Sequence, residues 1–163
     1  MADAEQQVVL ATVHHARARA AILRCLDQLH EDVQPSWGSF SGAAMLYHLN
    51  AQLEMALGDL IGAPVGNPAF WHTKGKAIAL SDERWPHGAP TSVEALPSGE
   101  VDFNVERQRF QVLLDRLATR DVRGPWPDSA RFGPMTGWDW SRLTYTHVRH
   151  HFRQFGVWQD AVE

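Results

Sequence analysis

Nine histidines are present in 163 residues, and two of them, His147 and His151, stand four positions apart near the end of the chain. On a helix that spacing brings them to one side. With about 100° of rotation per residue, His151 lies about 40° from His147, and Gln154 about 20° away on the other flank. Trp140, Leu143, Thr144, Phe155 and Trp158 share this face, whereas Arg142, Tyr145, Arg149 and Arg153 fall on the opposite one. Two imidazoles within an apolar stripe are costly on their own, because each ring nitrogen needs a partner and two charged rings would repel. A divalent metal answers both demands, since neutral imidazole is a common ligand and adjacent turns can present two rings to one ion. A lone inward histidine is ordinarily a satisfied core residue, and a pair one turn apart leaves that reading open beside the metal one. A third ligand from another helix would complete an open site of the catalytic kind.

His48, in the run Ala43-Ala44-Met45-Leu46-Tyr47-His48-Leu49-Asn50, is the candidate. It shares a face with Met45, Gln52 and Met55, while the leucine stripe of Leu46, Leu49, Leu53, Leu57 and Leu60 points elsewhere. Periodicity places it on the flank of a helix that is apolar around most of its circumference, where an inward position is allowed but not required. The other histidines rank lower. His150 lies about 60° from His147, toward an edge of the stripe, and reads as a rim or interface residue. His14 and His15 read as solvated, His30 sits near a helix end where a cation suits the dipole, and His72 and His87 read as loop surface within reach of the site.

Four helices must position these residues. The first is expected from about Glu5 to His30, stepping through Val9, Val13, Ala16, Ala20, Leu23 and Leu26, and ending before Pro35 and Trp37-Gly38. The second opens after Ser39 or Ser41, either a good N-cap, and runs to about Leu60, closed by Gly62 and Pro64. The third spans about Phe103 to Thr119, with Phe110, Leu113, Leu114 and Leu117 on its apolar side. The last starts at Thr136, where Thr136 and Asp139 form an N-terminal capping box, and ends near Gly156 or Trp158. Between the second and third lies a stretch from Ile61 to Asp102 with five prolines, five glycines and no sustained period. A connection of that length usually covers a site. A second loop, Arg120 to Met135, carries Gly124-Pro125-Trp126-Pro127 and Phe132-Gly133-Pro134. The fold class expected is all-α, a four-helix bundle, with residues 1–163 as one domain.

Composition narrows the function. A formal charge of −4 and a pI near 6.1 argue against a nucleic-acid binder, whose footprint is basic. Cys25 is the single cysteine, so neither an internal disulfide nor a thiolate zinc cluster forms within one chain. Neither a basic-then-apolar leader nor a run of about 18 to 20 apolar residues is seen, and a cytoplasmic protein with no membrane partner is expected. There is no His-Glu-x-x-His, no Glu-x-x-His of the di-iron bundles and no glycine-rich phosphate loop.

The segment His147-Val148-Arg149-His150-His151-Phe152-Arg153-Gln154 resembles the H-x-x-H-H-R-x-Q ending of the DinB/YfiT-like superfamily, and Met45-Leu46-Tyr47-His48-Leu49-Asn50 resembles its second-helix motif. Trp37-Gly38, Trp85-Pro86-His87-Gly88-Ala89-Pro90-Thr91 and Phe132-Gly133-Pro134-Met135 are similar to segments of a subgroup known mainly as a domain of unknown function. One departure is Phe152, where many relatives carry arginine. The resemblance implies a bundle of the DinB/YfiT-like type with one divalent ion on His48, His147 and His151, and it is what supplies His48. It also implies a small-molecule substrate, and dimers are common among such proteins.

Relatives of that kind include S-transferases using low-molecular-weight thiols and metal-dependent hydrolases. A metal-activated thiol needs no protein nucleophile, whereas a hydrolase wants a general base beside the metal. No carboxylate neighbours the histidines in sequence, although Asp82, Glu83 or Glu94 of the long loop are within reach of it. That favours a thiol-dependent S-transferase over a hydrolase or a non-enzymatic metal or small-molecule binder. Imidazole donors suit several ions; zinc or nickel is expected. No catalytic or substrate-binding residue is assigned by the sequence.

Overall fold

The computed structural model describes residues 9–158, all-helical in their regular structure, with no strand among them. The first helix, α1 (Ala16–Asp27), starts well after the expected Glu5, and the part of that expectation before residue 9 lies outside the described residues. The reason is a competing set of partners. Val13 N–H donates to the Ser141 carbonyl, the His14 N–H donates to Ser141 Oγ, and the His14 ring spans Ser141 Oγ (2.7 Å) and the Arg120 carbonyl (2.9 Å). Backbone satisfied in this way has no need of a helical turn. His14 is therefore half-buried and bonded at both ring nitrogens, not solvated.

Helix α2 (Gly42–Leu57) opens at Ser41, whose Oγ accepts from Ala44 N–H. It closes three residues earlier than Leu60 because Gly58 takes the left-handed conformation (φ 82°) that L side chains avoid. The expected encirclement of α2 by apolar contact is observed. Met45, Leu46, Leu49 and Leu53 are all fully buried, with His48 and Asn50 buried between them.

The long connection is not without structure. Asn67 caps a short helix α3 (Pro68–Phe70), which continues through a π-helical turn (Trp71–Gly75) into α4 (Lys76–Leu80). A π turn shifts the side-chain phase, which erases the 3.6-residue period that would have announced a helix. Gly75 is required there: a Cβ would lie 2.4 Å from Trp71 Cε3. A 3₁₀ turn (Val93–Ala95) then packs on α2. Helix α5 (Phe103–Thr119) is capped by Asp102, and α6 (Gly137–Gln154) begins with the Thr136–Asp139 capping box in place.

α2 packs against both α5 and α6, while α6 also meets α1 and α4. Phe110, Phe152, Ile22, Leu26, Leu46 and Leu53 fill the space between them with no exposed surface, each stabilising the fold by about 1.5–3 kcal/mol. The face of α6 opposite the histidines is covered too. Arg142 is 4% exposed, donating to the carbonyls of Leu80, Ala11 and Ser81 and to Asp82, and Arg149 also reaches Asp82. The Arg142 guanidinium holds the Asp82 carboxyl below its ordinary range. Those arginines seat α4 and the end of the 9–15 stretch on α6, which helps fix the helix that carries two of the histidines. No helix among the described residues is long and apolar enough to cross a membrane.

Candidate metal centre

α2 presents His48, and successive turns of α6 present His147 and His151, to the same point. The ring centroids are 4.8 Å apart in every pair, with interplanar angles of 78°, 75° and 68°. His48 Nε2 and His147 Nε2 approach to 2.9 Å, and one ring nitrogen from each of the three lies within 4.8 Å of the others. All three residues are buried.

The outer nitrogen of each ring meets an oxygen, and the surrounding bonds fix which way protons run. His48 Nδ1 lies 3.1 Å from the Ala95 carbonyl, which can only accept. His151 Nδ1 lies 2.7 Å from Gln154 Oε1, and the Gln154 amide cannot be turned round because its Nε2 donates to the Trp37 carbonyl at 2.8 Å. His147 Nδ1 lies 3.4 Å from Gln52 Oε1. Gln52 in turn donates to Thr144 Oγ1, whose hydroxyl donates to the Trp140 carbonyl. Each Nδ1 thus carries the proton, and each Nε2 turns an unprotonated lone pair inward. Outer-shell acceptors of this kind are what orient histidine ligands.

Burial keeps the rings neutral. It lowers the His48 pKa to about 4, and it lowers His147 and His151 well below the usual histidine range, with the mutual repulsion of the rings adding to the effect. Two lone pairs facing each other at 2.9 Å repel unless an electrophile lies between them. Tetrahedral donors about 2.0–2.1 Å from zinc stand about 3.3 Å apart, near the 2.9 Å between His48 Nε2 and His147 Nε2. Three neutral nitrogen donors in a buried cluster could therefore hold a metal ion.

Around the centre, Trp85 stacks on His147 (5.6 Å, 23°) and Phe40 lies against His48 and His151. The histidines face a cavity of about 680 Å³, within the range of small-molecule sites. His150 is half-buried beside Trp85, Trp37 and His87, and burial lowers its pKa to about 4; it belongs to the rim, as its helical angle indicates. His87 is exposed but stacks flat on Trp37 at 3.9 Å, and His72 packs on Gly133. None of the three loop carboxylates turns toward the histidines. Asp82 is tied to Arg142 and Arg149, Glu94 accepts from Ala63 N–H, and Glu83 lines a separate small pocket.

The residues that sequence reasoning did not assign are the supporting ones. Gln52 and Gln154 carried a signal: they stand four residues after His48 and three after His151, on the histidine faces. Ala95 and Trp85 carried none, because their loop has no period. No curated protein and no solved structure matches the chain. Residues 11–157 match the family described as "Protein of unknown function (DUF1569)", so the chain belongs to that family.

Proposed function

We propose that the chain is a four-helix bundle of the DinB/YfiT-like type that binds one divalent ion, zinc or nickel, through Nε2 of His48, His147 and His151, and acts as a metal-dependent enzyme. The observation that carries the reading is the convergence of three deprotonated ring nitrogens, with each Nδ1 committed to an acceptor. A bound ion would supply Lewis acidity and hold a thiol or water deprotonated.

The chain's own residues do the rest. Gln52, Gln154 and the Ala95 carbonyl hold the imidazoles in their tautomer, while Phe40 and Trp85 exclude water from their flanks. Three protein donors leave further positions open toward the cavity, as catalytic sites do. Among the described residues lining that cavity the one carboxylate is Asp128, which is exposed. A site without a buried general base suits transfer of a thiol, which arrives with its own nucleophile, better than hydrolysis. The reaction proposed is thiol-dependent S-transfer to a largely apolar electrophile: a C–S bond forms, the thiol proton passes to solvent, and the leaving group departs with its bonding pair, as chloride does from the test compound below. Its test is turnover of monochlorobimane with cysteine by zinc-loaded protein. Conjugation that disappears in His147→Ala supports the reading; binding of zinc without any such turnover leaves a metal-binding protein and overturns the transferase.

A further inference from the structure

The cavity above the histidines is lined chiefly by apolar groups, with Ile61, Phe70, Trp71, Phe132 and Leu143 contributing from different segments. One cation stands in that lining. Arg131, in the loop before α6, is half-buried, with its guanidinium 4.7 Å from the Trp71 ring centroid and its Nη2 donating to the Pro90 carbonyl. Nε and Nη1 have no hydrogen-bond acceptor among the described residues, and no carboxylate there lies within ion-pair distance. Arg120, also half-buried and set over Trp126, gives its Nη1 and Nη2 to the Leu57 and Pro125 carbonyls, and three further arginines have acidic partners. Arg142 and Arg149 share Asp82, and Arg109 has Glu54 and Glu106.

Arg131 lines the same cavity as His48, His147 and His151. A guanidinium held over an indole, with one Nη2 N–H on a carbonyl, keeps its other Nη2 N–H beside a free Nε or Nη1, and that edge is built to take an oxyanion in a bidentate grip. The local charge at the Arg131 end of the cavity favours a monoanion. Among the described lining residues Arg131 is the sole arginine or lysine, and the charge of an ion held by the histidines would be met by the thiolate it binds. A phosphate dianion on Arg131 would then carry a second charge with no lysine or arginine beside it, at substantial cost.

We propose that Arg131 receives the carboxylate of an amphipathic monoanion whose apolar body fills the cavity beside the three histidines. This names the class of substrate for the function proposed above and rests on that reading for the chemistry that follows binding.

Octanoate and its neutral analogue octanamide share shape and differ in charge, so the comparison isolates the guanidinium. Calorimetric binding is measured with wild type, Arg131→Gln and Arg131→Lys as purified, with the metal content of each sample determined alongside. Wild type is expected to bind octanoate at least 10-fold more tightly than octanamide. Arg131→Gln abolishes that preference while still binding octanamide, and Arg131→Lys keeps part of it. Equal affinity of the wild type for the two probes overturns the proposal without recourse to any variant. A preference that survives in Arg131→Gln also overturns it, because the carboxylate is then held elsewhere, at the metal for instance. The metal reading is judged separately: Arg131-dependent octanoate binding by protein that takes up no metal would support the anion site and sink the metal site.

Discussion

Replacing Gln154 with alanine tests how the centre is held without touching any of its three histidines. Gln154 is 4% exposed, accepts from His151 Nδ1 at 2.7 Å and donates to the Trp37 carbonyl at 2.8 Å. Alanine leaves the buried His151 Nδ1–H and the partly buried Trp37 carbonyl without this partner, at about 1–3 kcal/mol for the first and less for the second. Allowing for water entering the vacated space, the metal-free protein should lose about 2–4 kcal/mol in a urea titration. His151 also loses the contact that fixes its tautomer, so zinc affinity, measured by competition with a chromophoric chelator, should fall about 10- to 100-fold. Gln154→Glu separates the two roles. A carboxylate still accepts from His151 but offers no N–H to Trp37, so it should keep most of the zinc affinity while losing stability. If Gln154→Ala weakens the fold yet binds zinc as tightly as wild type, His151 does not act through Nε2 and the geometric reasoning fails.

Acid should destabilise the metal-free protein in a defined window. The folded pKa of His48 lies near 4, below its ordinary 6.5, so the unfolded chain binds more protons between those values. The contribution is then complete above about pH 6.5 and is lost as pH falls toward about 4; urea midpoints that stay flat across this range would contradict the buried neutral cluster. Asp82→Asn should lower stability by roughly 1 kcal/mol near neutrality, an allowance suited to its exposed carboxylate. The loss should fade in acid, where wild-type Asp82 itself becomes protonated; a deficit unchanged at low pH would count against the Arg142 and Arg149 pairing. Phe110→Ala, in the core between α5 and α6, should cost about 3–5 kcal/mol and leave zinc stoichiometry unaltered, as unfolding and metal analysis would show.

How far the molecule could be read from its residues depends on whether a local period was present. His147 and His151 were legible because α6 keeps an unbroken helical phase from a real capping box onward. His48 was not fixed in the same way, because a helix buried nearly all round gives no direction; its place came from the resemblance, and the structure brings it to 2.9 Å from His147. The arginine face of α6 misled, since period reports polarity and not what covers it. There the Leu80, Ser81 and Ala11 carbonyls and Asp82 bury two arginines that look solvated in sequence. The start of α1 failed for a related reason. Ser141 and Arg120, distant in sequence, satisfy the groups around His14 and leave the 9–15 stretch non-helical. The π turn at Trp71–Gly75 hid a helical segment that helps wall the cavity, and no local pattern marked Arg131 as a residue of that wall.

The metal centre stands or falls on whether the three lone pairs have an ion to face. Elemental analysis of protein purified from metal-replete cells, wild type beside His147→Ala, decides it, with circular dichroism confirming that the variant is folded. Close to one zinc or nickel per wild-type chain is expected, and a small fraction of that in the variant. A folded wild type that carries no metal and takes up none on addition of either ion would contradict it.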